Sequence, residues 1–129
     1  MAVSHFRRAD KLVDNLTLVR NLFFPTAGTT LGGRKKQVLS QAQVGEGTDA
    51  NYVENVMWEQ SKVLFVTVNI TGGSNNDADP WYGITPESSR QTQEREQRTQ
   101  ADLHWLDAAF AQADRIVVSE DPTQSSRSG

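Results

Sequence analysis

The feature that most constrains the fold is a near-continuous run of β-branched and aromatic residues at residues 63–71, mostly apolar, which leads into a polar loop opened by two glycines. The run is rich in β-branched residues and contains Phe65. Such a run is typical of a central strand that is buried on both faces of a sheet. Ligands of α/β proteins bind at the carboxyl edge of the sheet, so the loop after this strand is the first candidate for a functional site.

The residues before this run predict a helix, a short strand and a hairpin. Four apolar residues spaced four, three and four apart indicate one face of an amphipathic helix of about four turns. They are Leu12, Leu16, Val19 and Phe23, and Pro25 closes the helix. Residues 37–41 predict a short strand. Residues 52–58 alternate in character, and a tight turn near residues 60–62 joins them to the apolar run as an antiparallel hairpin.

The residues after the run predict a helix and a returning strand. Thr85, Pro86 and Glu87 have the order of a helix N-cap, a first-turn proline and an acidic first turn. The apolar face of this helix is predicted from Leu103, Leu106, Phe110 and Ala113, with Trp105 and Ala109 beside it. Residues 115–119 predict a strand that returns to the sheet, which completes a right-handed βαβ unit. The fold class is therefore α/β.

Composition restricts the partners and the organisation of the chain. The 129 residues carry a net charge of −3, which gives no electrostatic case for nucleic acid or an anionic membrane. No apolar stretch approaches the roughly 20 residues that span a bilayer, and residues 1–10 lack the apolar region of a secretory signal. We predict one domain at residues 1–118 and a disordered Ser-rich tail at residues 119–129. The compartment stays undetermined.

The connection at residues 72–86 contains the predicted site residues. Connections this long are usually functional or disordered. The candidates for contact with a ligand are Ser74, Asn75, Asn76, Asp77 and Trp81. An aromatic side chain in a polar loop is a common anchor for recognition. An EF-hand is excluded because prolines replace its turn glycine and its bidentate glutamate, although a looser oxygen-ligand cation site stays open.

Metal and nucleophile chemistry has few candidate residues. The chain has no cysteine and only two histidines, His5 and His104, about 100 residues apart in sequence. Ser74 has no evident base partner. We therefore predict no catalytic residue, no metal ligand and no cofactor bound by this chain alone.

Several segments, taken in order, resemble the middle portion of a bacterial branch of the calcineurin-like metallophosphoesterases, which are related to purple acid phosphatases. The resemblance covers roughly residues 14–118. The matching positions are Leu16, Arg20, Phe23 and Phe24, then Tyr52, Glu54, Asn55, Val56 and Trp58, then residues 65–69, then Gly73, Ser74, Asn75 and Asn76, and finally Glu94, Arg95, Ala101, Trp105, Leu106, Ala109, Phe110 and Ala113.

The resemblance implies a fold and an activity. It implies a β-sandwich flanked by helices, of which this chain forms one partial layer, and a dinuclear metal centre that activates water for attack on a phosphoester. In such enzymes the ligands come from Asp-x-His, Gly-Asp-x-x-Asp, Gly-Asn-His/Asp/Glu and Gly-His-x-His motifs, and no ligand carries over to any position here. Full-length relatives are expected to be exported or periplasmic.

These observations lead to one main hypothesis and two alternatives. The main hypothesis is a truncated or frame-shifted, catalytically incomplete piece of a metal-dependent phosphoesterase. The first alternative is a non-catalytic binding module that uses residues 72–86 to hold a phosphoester, another small polar ligand or a protein partner. The second is a chain that folds beside a complementing polypeptide, which supplies missing strands.

Overall fold

The computed structural model of the chain describes residues 2–72 and 87–119, and for residues 2–10 and 12 it describes the backbone alone. Three α-helices, one 3₁₀-helix and one three-stranded sheet are present in that part of the chain. The helices are α1 (Ala2–Phe23), α2 (Gln41–Val44), the 3₁₀-helix (Gly47–Asn51) and α3 (Ser89–Ser119), and the strands are β1 (Leu39–Ser40), β2 (Val56–Gln60) and β3 (Val63–Val66).

The predicted hairpin is confirmed. Strands β2 and β3 pair antiparallel, with Gln60 opposite Val63 and Trp58 opposite Phe65. A two-residue turn connects them, and both of its residues, Ser61 and Lys62, have positive φ angles of 53° and 65°. This backbone is that of the mirror-image turns that match the right-handed twist of a hairpin. The short strand predicted at residues 37–41 is also present as β1, which pairs with β2.

The prediction of a central strand buried on both faces is wrong. The strand order is β1-β2-β3, so β3 is the last strand and β2 is the central one in the described sheet. Val63 and Phe65 are exposed. The strand also ends at Val66 and not at residue 71, because the chain leaves the ladder after the backbone N–H of Thr67 bonds to Val56. Two residues further along, the backbone N–H of Asn69 donates to the side-chain oxygen of Asn55 instead of to a strand.

The predicted returning strand at residues 115–119 is wrong as well, because α3 continues to Ser119. These residues have the β-branched character of a strand, but they contain neither glycine nor proline. Extending an existing helix forms one hydrogen bond for each residue added, and β-branched residues lower helix stability by less than about 1 kcal/mol each. The described residues therefore contain an antiparallel sheet with helices and no βαβ unit.

The side of α3 that faces the sheet is not the predicted one. Leu103 and Phe110 are exposed, whereas Trp105 and Ala109 are buried. The latter two pack on Met57 of β2, with Leu64 and Val68 against the same cluster. Helix α1 does end at Phe23, next to the predicted terminator Pro25. The α/β class stands at the level of helices with one small antiparallel sheet. The tail beyond Ser119 and the boundaries of the domain lie outside these observations.

Candidate functional site

All five predicted site residues lie outside the residues that the structure describes. Ser74, Asn75, Asn76, Asp77 and Trp81 belong to the connection that begins after Gly72. The predicted helix start at Thr85 and Pro86 lies outside as well. The described part of the chain nevertheless shows what fixes the backbone shortly before this connection. A largely buried polar network surrounds Asn69, which lies a few residues before the connection.

Asn69 is fixed through both its backbone and its side chain. Its backbone N–H donates to Asn55 Oδ1 at 3.0 Å, and its side-chain amide donates to Glu54 Oε1 at 2.9 Å. Its carbonyl oxygen accepts from Arg98 Nη1 at 3.5 Å. Helix α3 and the two residues just before β2 therefore determine together where the chain lies after β3.

A charged pair between α1 and Glu54, which lies just before β2, forms one side of the network. Arg20 Nε lies 3.1 and 3.0 Å from the two carboxylate oxygens of Glu54, and Arg20 Nη2 lies 2.7 Å from Oε1. Burial disfavours the charged guanidinium, but the pairing with Glu54 outweighs it and raises the pKa of Arg20. Bidentate contacts of this kind are among the stronger hydrogen bonds in proteins.

A second charged pair lies within α3, one helical turn apart. Arg98 Nε donates to Glu94 Oε1 at 3.0 Å, and the Arg98 side chain is almost completely buried. The other carboxylate oxygen, Glu94 Oε2, is buried and has no hydrogen-bond partner in the described part of the chain. Arg20 Nη2 approaches Glu94 Oε1 to 3.9 Å, which links the two charged pairs into one cluster.

Uncharged amides form the other side of the network. The side-chain amide of Asn55 donates to Gln41 Oε1 and to Asp102 Oδ1, each at 2.8 Å. Gln41 in turn donates to the carbonyl oxygen of Ala101 at 2.8 Å. Burial raises the pKa of the Asp102 carboxyl, and the hydrogen bond from Asn55 and the charge of Arg98 partly offset that effect.

Tyr52 lies between the network and a polar cleft. The Arg20 guanidinium lies 4.9 Å from the centre of the Tyr52 ring, and the Tyr52 hydroxyl donates to the carbonyl oxygen of Glu94 at 3.4 Å. Burial, together with the charge of Glu94, raises the pKa of Tyr52. The adjoining cleft has a volume of about 560 Å³, and its lining includes Arg20, Tyr52, Glu94 and Arg90.

The chemistry of this arrangement is that of a neutralised polar network. Glu54, Glu94 and Asp102 each accept hydrogen bonds from a guanidinium or an amide. Among the side chains that the structure describes, no three histidine, aspartate or glutamate residues are grouped so that they could hold a metal ion. The network is therefore suited to positioning the backbone at Asn69.

One metal-ligand spacing does occur in the chain. Asp102 and His104 match the Asp-x-His pattern, but they lie on a helix and face different surroundings. Asp102 is buried and bonds to Asn55, whereas the exposed His104 lies 2.7 Å from Asp49 Oδ2 through Nδ1. The structure therefore does not bring these two side chains to one site.

Sequence reasoning missed the network because its members are residue types that are usually exposed. A signal was nevertheless present. The stripe of Trp105 and Ala109 on α3 continues towards the N-terminus of the helix at helical spacing, and the positions that it reaches are mostly polar. The buried residues of this stripe are Gln91, Glu94, Arg98, Ala101, Asp102, Trp105 and Ala109. Polar residues that continue an apolar stripe at helical spacing are candidates for buried, paired groups.

Comparisons with known proteins add no relative. No family model, no curated protein and no solved structure matches the chain. Within residues 2–72 and 87–119, none of the helices combines the length and the apolar character that crossing a bilayer requires.

Proposed function

We propose that this chain serves a metallophosphoesterase-like domain as a scaffold and that the metal ligands of the hydrolytic centre come from other residues. The order of segments that resembles this family supports the proposal. The polar network supports it too, since it fixes the backbone after β3, at the point where the chain approaches Gly73, Ser74, Asn75 and Asn76. In the resembling proteins the corresponding loop follows a core strand and approaches the rim of the active site.

The observation that carries the scaffold role is the pairing of the carboxylates. Glu54 accepts hydrogen bonds from Nε and Nη2 of Arg20 and from the side-chain amide of Asn69, and Glu94 accepts one from Arg98. Recruiting either carboxylate to a divalent cation would take a close, hydrogen-bonded counter-charge away from an arginine whose side chain is at most 17% exposed. Such a loss costs several kcal/mol in a buried pair. These groups are therefore suited to holding structure, with the hydrolytic chemistry carried elsewhere in the domain.

Metal content and turnover of the purified chain test the scaffold role. The chain is incubated with Mn²⁺ or Zn²⁺, desalted and analysed for metal, and p-nitrophenyl phosphate is offered as substrate. We expect less than one retained ion per chain and no turnover above that of the metal-free sample. Two retained ions per chain, together with turnover that a chelator abolishes, would contradict the scaffold role.

The phosphoesterase part of the proposal is tested on the DNA that flanks the coding region. We expect codons for an Asp-x-His motif upstream and for a Gly-His-x-His motif downstream. If they are present, the longer product should hydrolyse p-nitrophenyl phosphate, and Arg20→Met should weaken that activity far more than Lys11→Met on the same helix. If the flanking DNA encodes neither the Asp-x-His motif upstream nor the Gly-His-x-His motif downstream, the assignment to this enzyme class is contradicted.

A further inference from the structure

The outer edge of β3 presents backbone groups that point away from the sheet. In a hairpin with a two-residue turn, the residues next to the turn form a hydrogen-bonded pair, and every second pair after it does the same. Gln60 and Val63 are that first pair here, and Trp58 and Phe65 follow. The N–H and C=O groups of Leu64 and Val66 therefore point outwards, where no strand of the described sheet lies.

The four residues of β3 lack the charges and prolines that protect many exposed strand edges. Natural edge strands carry charges, prolines or bulges that prevent further pairing. Strand β3 consists of Val63, Leu64, Phe65 and Val66, none of which is charged. Val63 and Phe65 are 51% and 43% exposed on one face, and Val66 is 37% exposed on the other. The edge thus requires a strand that is uncharged and apolar on both faces.

The occupant that fits this requirement within the described structure is a second copy of β3 itself. Strand β2 carries Glu59, and β1 has only two residues, so neither offers a comparable segment. Because β3 has no charge, two copies placed side by side create no like-charge repulsion between facing side chains, which would otherwise destabilise the pair.

We propose that two copies of this chain associate by antiparallel pairing of β3 with β3 about a twofold axis at Phe65. In this register Leu64 lies opposite Val66 of the second copy, so the outward backbone groups of both residues bond to each other. Phe65 then lies opposite Phe65 as a non-hydrogen-bonded pair, in which side chains approach most closely. This association does not depend on whether the chain serves a phosphoesterase-like domain.

The aromatic residues of the hairpin support this register. The rings of Trp58 and Phe65 are stacked within each chain, with centres 5.2 Å apart and planes 6° from parallel. Pairing at Phe65 places the two stacks side by side, so that four rings form one continuous row across the twofold axis. Cross-strand aromatic pairs stabilise a sheet by roughly 0.2–1 kcal/mol each.

Disulfide crosslinking tests the register, and it is unambiguous because the chain has no cysteine. Phe65→Cys places two cysteines opposite each other with Cα atoms about 4.5 Å apart, within the range that a disulfide bridges. Val63→Cys is the matched control, because Val63 is on the same face and is similarly exposed. Its Cα atoms in the two copies would be about 14 Å apart along the strands, too far for a disulfide.

We expect the native chain to sediment as a dimer of two 14.3 kDa chains that dissociates on dilution. After mild oxidation, the Phe65→Cys variant should form a covalent dimer at least ten-fold faster than the Val63→Cys variant. Far-UV circular dichroism verifies that both variants are folded. A native chain that stays monomeric at every concentration would overturn the proposal and leave the edge to a different polypeptide. Equal crosslinking of the two variants, or faster crosslinking through residue 63, would overturn the register.

Discussion

Asn55 illustrates at the scale of one residue how this chain holds its polar interior together. Its side-chain amide bonds to residues of α2 and α3, and its side-chain oxygen accepts the backbone N–H of Asn69. The bonds to Gln41 and Asp102 are buried, and the bond to Asn69 is partly buried. Leaving a buried hydrogen-bonding group without a partner costs about 1–3 kcal/mol. The network therefore acts as a unit, and single substitutions in it should be costly.

Asp102 gives this network a dependence on pH. Burial raises the pKa of its carboxyl in the folded chain. The folded state therefore binds this proton more tightly than the unfolded state does. The resulting stability is fully present below the pKa of the unfolded chain, about 3.9, and it is lost as the pH rises through the pKa of the folded chain.

Asp102→Asn should remove this dependence and keep an oxygen that accepts from Asn55. We expect the free energy of unfolding of the variant, relative to the native chain, to increase between about pH 3 and pH 7. Urea denaturation at both pH values measures the difference. If the variant instead lost stability relative to the native chain as the pH rose, the Asp102 carboxyl would be stabilised in its charged form, contrary to this account.

The pair of Arg20 and Glu54 should show strong energetic coupling. Its side chains are 17% and 12% exposed and share bidentate hydrogen bonds. Arg20→Met should lower the free energy of unfolding by about 2–3 kcal/mol, because it leaves a mostly buried carboxylate without its cation. The loss in the double variant with Glu54→Gln should be at least about 1 kcal/mol smaller than the sum of the two single losses.

The exposed pair of Asp14 and Arg90 serves as the control for this cycle. Its side chains are 63% and 47% exposed, at an N–O distance of 3.0 Å. Exposed ion pairs contribute roughly 0–1 kcal/mol. The Asp14→Asn and Arg90→Met cycle should therefore give a clearly smaller coupling energy. Equal coupling in the two cycles would remove the distinction between the interior pair and the surface pair.

At the scale of elements, the turn between β2 and β3 combines a favourable geometry with unfavourable residues. Ser61 and Lys62 both have positive φ angles, a conformation that costs a residue with a Cβ atom about 1–2 kcal/mol. Lys62→Gly should therefore give a chain that is about 1 kcal/mol more stable than Lys62→Ala. Both variants lose the lysine side chain, so thermal or urea unfolding of the two isolates the effect of the backbone. Equal stabilities would show that the turn relaxes away from this conformation.

The hairpin was predictable from sequence because its determinants are local. Alternating side chains on residues 52–58, a β-branched run and a short polar turn all favour the same pairing. The position of β3 in the sheet was not predictable in this way, because an apolar run has the same pattern in a central strand and in an edge strand. Whether such a run is covered depends on which strands pair with it, and that information is not local.

The end of α3 and its buried face were mispredicted for different reasons. Residues 115–119 have strand-like composition, yet a helix that already exists extends through them at little cost. On the face of the helix, Leu103 and Phe110 are the more apolar positions, but the polar partners Asn55, Gln41 and Asn69 lie on the opposite side. The helix therefore buries the face that can bond to these partners, and sequence patterning based on hydrophobicity alone selects the other face.

At the scale of the whole molecule, the described chain has a small apolar core and a large polar interior. The buried hydrophobic residues are Tyr52, Met57, Ala101, Trp105 and Ala109. More polar or charged residues than apolar ones are buried in the same part of the chain. Meanwhile apolar side chains on α1, β3 and α3 remain exposed. Interiors of this kind rely on specific pairing between polar groups.

The orientation of α3 on the sheet leads to a prediction that separates the two helix faces. Trp105 is 2% exposed and packs on Met57, whereas Phe110, which the sequence pattern placed in the core, is 71% exposed. Trp105→Ala should lower the free energy of unfolding by about 3–5 kcal/mol. Phe110→Ala should change it by about 0.5 kcal/mol or less.

Urea denaturation of both variants measures this difference, under dilute conditions that keep the chain monomeric. Because Trp105→Ala removes much of a small core, Trp105→Leu provides a milder variant that should fold with a partial loss of stability. A larger loss for Phe110→Ala than for Trp105→Leu would mean that α3 is rotated about its axis relative to this structure. In that case Asp102 and Arg98 would leave the interior, and the polar network around Asn69 could not form.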